Sequence, residues 1–457
     1  MRMKFILAAL LLISARSYGQ LGVSSGGTGR TYTSPYGILI GGTITSDPMQ
    51  QVSAGDSLQV LQSLGAGHLP VWSSLASPVY LSYTGTLSTP IQLSVLRGGV
   101  TVQPGSLSGA RPYSVDTGVA LYGITSNYDE TVTGVTLSNV TYIGTGGFTF
   151  SHDSLLATLD ITPVINIVSS FHPFADPLIV VLRGQSLKYI GGGFDVTDLA
   201  GVDTFDFPQL TDVIDGGFDP GTCPSLVSMS FPKFAHLYGG GFNVSTCISL
   251  RRISLPAFVF CRGLFNPSSN DLLDSMYFPL FAVIAGGGFS PSNNPSIKVM
   301  HFPSMKDIEG DIQPQTNVSL TTIIFDSLQI VNGSIEPSQD TSLRSVLIPR
   351  LARCQGIDLS NVSQSASGQY LDTVCFGISG ILKDVEGDII LSNNALSVGT
   401  VNKILHDLVS LDGTGGTVLW GAGRTLDISG GSTAAPSGQG IVDAVTLTGR
   451  GATITTN

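Results

Sequence analysis

The stretch from His236 to Phe258, HLYGGGFNVSTCISLRRISLPAF, contains several residue types that can do chemistry. Its glycine run could cradle a phosphate, Cys247 could act as a thiol nucleophile, and Arg251 and Arg252 could hold an anion. A phosphate-binding loop, however, leads into a helix and carries a lysine. Glycine runs recur without these features at 191–193, 216–217 and 286–288. The runs therefore predict turns.

The histidines, carboxylates and cysteines do not form a known catalytic arrangement. The six histidines are scattered, without a Ser-His-Asp order, metal-ligand spacing or nucleophile elbow. Asp203 and Asp206 could serve a glycosidase, but their spacing equally suits two solvent-facing strand residues. The five cysteines are odd in number and show no metal spacing, which disfavours a disulfide scaffold. We expect no catalytic residue, metal or cofactor.

The composition disfavours nucleic acid as a partner. Charged residues are 12% of the chain and the net charge is −11, whereas phosphate binding needs clustered cations. Hydrophobic residues make up 42%, enough for an extended core, and the 56 glycines indicate many turns.

A repeat of 22 to 24 residues organises the middle of the chain. Aligning on the residue that follows the glycine turn gives ten anchors: Phe148, Phe171, Phe194, Phe218, Phe242, Phe265, Phe289, Ile312, Ile335 and Ile357. Apolar residues recur eight, eleven and thirteen positions after the anchor, and a proline usually follows. Each unit predicts one strand, which the proline ends, then a turn and an apolar return segment. Because one unit cannot bury its apolar side alone, neighbouring units must stack.

Five positions after the anchor stand small polar residues or cysteines in most units. They are Asp153, Asp176, Cys223, Cys247, Asn270, Asn294, Asn317 and Asp340, with Leu199 as the exception. Such residues hydrogen-bond the backbone inside tight turns, so they predict a ladder of buried rungs. Adjacent rungs lie within disulfide range, which leaves the oxidation state of Cys223 and Cys247 open.

These columns resemble leucine-rich repeats of the BspA-like type found in bacterial surface proteins. The segment from Ser249 to Pro256, after Phe242 and Cys247, matches the pattern Leu-x-x-Ile-x-Leu-Pro. The resemblance implies a leucine-rich-repeat-like, β-rich repeat solenoid of stacked parallel strands over residues 132–395. A right-handed parallel β-helix remains the alternative, because three short strands also fit in such a coil.

The flanking segments differ from the repeats. Residues 1–19 read as a signal peptide, with Arg2 and Lys4 before an apolar run too short to span a bilayer. Residues 20–80 resemble phage tail-fibre segments, which allows a homotrimer, and residues 81–131 read as a β-rich connector or solenoid cap. Residues 396–457 predict an α/β capping module with helices at 401–411 and 437–447 and a polar outer surface.

The strand surface of the solenoid is the candidate ligand face, because the repeat leaves its outward positions free. Nine residues gather there: Asp203, Asp206, Arg251, Arg252, Asp274, Tyr277, Lys298, His301 and Arg344. The sequence thus predicts an exported, non-enzymatic adhesion or recognition protein, secreted or at the cell surface, that binds a cell-surface protein or glycan. The alternatives are a virion tail-fibre or receptor-binding protein and a tailspike-like polysaccharide-degrading enzyme. We expect no transmembrane segment in the mature chain.

Overall fold

The computed structural model describes residues 132–137, 140–360, 362, 371–377 and 381–457, and before residue 132 only eight short strands. The expected signal peptide at 1–19 lies outside the described residues. The chain divides into two compact units, 1–78 and 79–457. In the first, β1 (Ile38–Ile40) pairs antiparallel with β2 (Gln50–Val52), and β3 (Gln59–Gln62) with β4 (Val71–Ser74).

The second unit contains short strands almost throughout. In chain order they are β5 (Gln92–Leu93), β6 (Val100–Val102), β7 (Arg111–Val115), β8 (Ala120–Asn127), β9 (Val132–Leu137), β10 (Tyr142–Ser151), β11 (Thr158–Asp160), β12 (Asn166–Ile167), β13 (Phe171–Phe174), β14 (Val181–Arg183), β15 (Tyr189–Ile190), β16 (Phe194–Asp195), β17 (Thr204–Asp206), β18 (Asp212–Val213), β19 (Phe218–Asp219), β20 (Ser228–Ser230) and β21 (His236–Leu237). They continue as β22 (Arg252–Ser254), β23 (Phe260–Arg262), β24 (Ser275–Tyr277), β25 (Val283–Ala285), β26 (Val299–His301), β27 (Asp307–Ile308), β28 (Thr322–Ile324), β29 (Ile330–Val331), β30 (Ser345–Ile348), β31 (Arg353–Cys354), β32 (Ile357–Asp358), β33 (Thr373–Phe376), β34 (Asp384–Val385) and β35 (Ile389–Ile390). Two helix-then-strand units end the chain: α1 (Val398–Val409), β36 (Thr425–Asp427), α2 (Gln439–Gly449) and β37 (Thr453–Thr455).

The strands stack in parallel, coil on coil, which confirms the repeat solenoid. We call sheet I the row of three parallel segments β9-β11-β14-β17-β20, β22-β24 and β26-β28-β30-β33, in which β20 contacts β22 and β24 contacts β26 without strand pairing. Sheet II runs from the start of β10 through β12, β15, β18, β21, β23, β25, β27, β29, β31 and β34. Sheet III joins the end of β10 to β13, β16 and β19, continues as single bridges between successive anchors, and ends in β32, β35, β36 and β37.

We expected one strand per coil, which is too simple. Each coil of the middle region pairs with its neighbours at three places, one in each of sheets I, II and III. The return segment forms sheet II, and the anchor forms sheet III. Pairing follows from burial, since a buried backbone must satisfy its N–H and C=O groups. The sheet I strand ends as the proline predicts; β22, for example, stops at Ser254, two residues before Pro256.

Side chains that point inward fill one continuous core. In β22, Ile253 is buried while Arg252 points to solvent, as the period of two in a strand requires. The anchor phenylalanines stack along the solenoid axis, with ring centroids 4.9 Å apart between Phe194 and Phe218 and 5.2 Å between Phe218 and Phe242. Successive coils therefore repeat the same packing.

The ladder of buried rungs is present. The amide of Asn270 donates to Oδ1 of Asn294 (3.2 Å), and that of Asn294 donates to Oδ1 of Asn317 (3.0 Å). The residue before each rung adopts a left-handed conformation, such as Asn293 with φ 54° and Thr316 with φ 59°. This turn carries the chain from sheet III toward sheet I.

The cysteine side chains at the rungs donate to backbone carbonyls, as the asparagine side chains do. The Sγ atoms of Cys223 and Cys247 approach the carbonyls of Val196 (3.6 Å) and Pro220 (3.5 Å), and both thiols are free and buried. A thiol thus replaces the amide as donor at these two rungs.

The two helix-then-strand pairs that follow the repeats, α1 with β36 and α2 with β37, match the expected order of elements. Their helices begin and end within three residues of the expected bounds, and β36 and β37 extend sheet III in parallel. The outer surface of α2 is less polar than we expect of a cap, because Ile441, Val442 and Val445 are exposed beside Thr446 and Thr448.

At the other end, the parallel stack reaches into the segment 81–131. There β5 pairs with β7 and β7 with β9, while β6 pairs with β8 and β8 with β10. Among the described residues, no helix has the length and apolar character needed to cross a membrane.

Candidate functional site

The structure places the nine candidate residues on the outward side of sheet I or directly before its strands. Eight of them are exposed, and Asp206 is half-buried. Their orientation follows from the apolar columns, because the buried Ile253 and Met276 fix which neighbouring positions face solvent. These positions are therefore accessible to solvent.

Six of the nine residues form one cluster on three consecutive strands. Arg251 and Arg252 belong to the β22 coil, Asp274 and Tyr277 to the β24 coil, and Lys298 and His301 to the β26 coil. Strands β22 and β24 pair with Arg252 opposite Ser275, and β26 lies beside β24. We call these six residues the sheet I cluster.

Arg252 and Tyr277 make a direct contact within the sheet I cluster. The guanidinium carbon of Arg252 lies 5.4 Å from the centroid of the Tyr277 ring, a cation–π distance. Tyr277 is 48% exposed, so its ring is still accessible to a ligand. The contact holds a cation and an aromatic side chain side by side on the surface.

His301 is held by a residue that breaks the repeat pattern. Its Nε2 lies 2.7 Å from Oδ2 of Asp326. Asp326 occupies the position where most other repeats have the strand-ending proline. The departure from the repeat thus supplies a carboxylate that orients the imidazole.

The remaining three residues lie farther away. Asp203 and Asp206 belong to the β17 coil, separated from β22 by β20, and Arg344 precedes β30, separated from β26 by β28. Two coil spacings of about 4.8 Å put each about 10 Å from the sheet I cluster. Asp206 is also engaged by Nε2 of Gln185. A ligand of several residues could reach them, whereas a small molecule could not.

The sheet I cluster differs in charge from the chain as a whole. The cluster contains three cations, Arg251, Arg252 and Lys298, and one carboxylate, Asp274, while the whole chain carries −11. Exposed cations near an aromatic ring suit carboxylate, sulfate or hydroxyl groups. The local field therefore favours anionic or polyhydroxylated ligands over basic ones.

Sheet II carries a second group of polar and aromatic side chains that we did not predict. Nδ1 of His236 lies 2.8 Å from Oδ1 of Asp212, and its ring stacks on Tyr238 at 5.2 Å. Phe260, on the next coil, lies 5.5 Å from Tyr238 and is the register partner of His236, and Arg262 ends the same strand β23. Because we expected the return segment to form no strand, we did not identify its solvent-facing positions.

Sheet III carries a row of polar residues, each one position after an anchor. We did not predict this row from the sequence. His172 pairs with Asp195 (Nε2 to Oδ2, 3.0 Å), Asp195 and Asp219 are neighbours in register, and Nδ2 of Asn243 donates to Asp219 (3.0 Å). Burial, aided by the Asp195 charge, raises the pKa of Asp219 above its usual value, although the Asn243 hydrogen bond opposes this. The recurrence of Asp at this column was visible in the sequence.

Comparison of the chain with models of protein families, with curated proteins and with solved structures found no match.

Proposed function

We propose that the protein is an exported, non-enzymatic adhesion or recognition protein that binds a protein or glycan on another surface through sheet I. The observation that carries the proposal is the sheet I cluster, six exposed residues on three consecutive strands with Arg252 set over Tyr277. A flat sheet built from stacked coils offers many contact points at regular spacing. The chain is thus suited to multipoint binding of an extended ligand.

Rigidity supports this interpretation. The strands that hold the cluster are joined to their neighbours by parallel pairing, and the residues between them pack in the core. Side chains that are already ordered lose less conformational entropy when they bind. Arg252 contacts Tyr277 and His301 contacts Asp326, so these two side chains are already ordered before a ligand binds.

Glycan and surface-protein arrays, followed by intact cells, would test the proposal. The test compares the wild-type chain with the combined variant Arg251→Glu, Arg252→Glu and Tyr277→Ala. We expect the wild type to bind a subset of targets and the variant to lose at least tenfold in affinity, since aromatic and arginine residues dominate binding energy. The matched control is Arg262→Glu with Tyr238→Ala, which removes the same residue types from sheet II. Equal loss in both variants, or none in the first, would contradict the proposal.

A second candidate function, degradation of a surface polysaccharide, is favoured by Asp195 and Asp219. Adjacent strands lie about 4.8 Å apart, close to the carboxylate separation of about 5 Å in retaining glycosidases. The raised pKa of Asp219 suits a general acid, and Asp195, which pairs with His172, is the neighbouring carboxylate in register.

Incubation with a panel of polysaccharides distinguishes the two functions. Depolymerisation by the wild type that is lost in both Asp195→Asn and Asp219→Asn would establish the enzyme. The adhesin proposal expects intact polysaccharides throughout.

A further inference from the structure

The C-terminal end of the solenoid exposes an apolar surface formed by α2 and β37. Buried Gly440 and Leu447 face the interior, whereas Ile441, Val442 and Val445 are 53%, 55% and 67% exposed. Val445 is the most exposed large apolar side chain of the described residues. Ile441 and Val445 are four residues apart and so lie on one side of the helix.

A shallow groove runs along this end of the stack. It has a volume of about 640 Å³ and is lined by both helix and strand, including Pro436, Ile441, Val445, Thr448 and Ile454. An apolar surface is what each inner coil of a solenoid presents to the coil stacked on it. We call this surface the end face.

Strand β37 adds an open edge to the end face. It pairs in parallel with β36, with Ile454 opposite Leu426, and the described residues provide no strand on its other side. Proteins normally protect such edges, because free N–H and C=O groups invite another strand. Here the edge has the short sequence Thr453-Ile454-Thr455, without a charge, proline or bulge to block pairing.

The end face is also free of exposed charge. Between Gly431 and Asn457 the only charged side chains are Asp443 and Arg450. Asp443 is 3% exposed and accepts from Nε2 of Gln439 (2.8 Å), and Arg450 donates to the carbonyls of Val409 (2.9 Å) and Leu411 (3.2 Å). A second copy of this acidic chain would therefore meet no opposing charge here.

We propose that the end face binds the end face of a second copy, giving a twofold-symmetric, end-to-end dimer. A twofold axis at Ile454 would pair β37 antiparallel with itself, setting Thr453 opposite Thr455 of the partner subunit. Cross-strand threonine pairs are favourable, and the same axis brings Ile441 and Val445 against their own copies. Because an isologous contact uses the same surface on both subunits, it closes at two copies.

The expected affinity is moderate. An 11-residue helix is about 16 Å long, so with one short strand it offers less than the about 800 Å² per partner of a standard interface. We expect a dissociation constant on the order of 10 µM. Sedimentation equilibrium of the full chain from about 1 to about 200 µM covers this range.

The substitution Val445→Lys tests the proposal without threatening the fold, because the side chain is exposed and lysine favours helices. It should raise the dissociation constant at least tenfold. The matched control Val180→Lys alters a valine that is 53% exposed directly before strand β14, far along the chain from α2, and should leave the dissociation constant unchanged. Unchanged circular dichroism would show that both variants fold.

Cross-linking gives a second readout. Val445→Cys should yield a disulfide-linked dimer under mild oxidation, and Val180→Cys should not. A monomer at all concentrations, a trimer or open polymer in place of a dimer, or a dimer unaffected by Val445→Lys would overturn the proposal.

Discussion

Asn294 is the rung of the ladder whose removal is easiest to interpret. Its Oδ1 accepts from the amide and the side-chain nitrogen of Asn270 (3.2 and 3.3 Å), and its Nδ2 donates to the carbonyls of Pro267 and Ser292 (both 3.0 Å). The side chain is fully buried. Asn294→Ala therefore leaves the amide of Asn270 and the carbonyl of Pro267 buried without these partners.

The expected cost follows from those two groups. A buried donor or acceptor left unsatisfied costs about 1–3 kcal/mol, so the free energy of unfolding should fall by about 2–6 kcal/mol. Asn294→Cys should cost less than Asn294→Ala, because the thiol of Cys247 approaches the carbonyl of Pro220 at the equivalent rung. The control Asn332→Ala alters an exposed asparagine and should cost less than about 0.5 kcal/mol.

Urea denaturation followed by circular dichroism measures the global effect, and hydrogen exchange measures the local one. The amide of Asn270 should lose protection in Asn294→Ala but keep it in Asn332→Ala. If Asn294→Ala were as mild as Asn332→Ala, the ladder would not stabilise the coils as argued.

Three further predictions follow from buried groups. Burial raises the pKa of Asp340 to about 7, so its carboxyl lowers the free energy of unfolding as pH rises from about 4 to about 7. Asp340→Asn should remove this slope and stabilise the chain at pH 8 by roughly 2–4 kcal/mol, measured by urea denaturation at several pH values. A methyl group on Gly239 would lie 2.3 Å from the backbone carbon of Asp215, so Gly239→Ala should cost about 1–3 kcal/mol in the same assay, while the unobstructed Gly449→Ala should not destabilise. Burial raises the pKa of Cys261 and Cys354 to about 12, so both thiols should resist a thiol reagent until the chain unfolds, and rapid labelling in the native state would contradict their burial.

The repeat made most of the solenoid predictable from sequence. Anchors such as Phe218 and Phe242 are in register in the structure because identical side chains in successive coils must occupy the same place in a shared core. The rungs were predictable for a similar reason, since Asn294 and its equivalents recur at one fixed distance from the anchor.

Features that depend on single side chains were not predictable. The repeat identifies Asp326 as an exception to proline but does not show that its carboxylate reaches His301 in a different coil. The sequence pattern of α2 likewise did not reveal that Val445 faces outward, because the side on which a helix packs depends on α1. The candidate ligand face could be located from the period of the strands, but its internal contacts required coordinates.

The central claim, that sheet I is the recognition surface, is tested most directly by hydrogen exchange in the presence of an array-selected glycan or surface protein. We expect new protection in β22, β24 and β26, around Arg252, Tyr277 and His301, and no protection in sheet II or at the end face. Protection confined to the row that contains Asp195 and Asp219, with sheet I unchanged, would contradict the account.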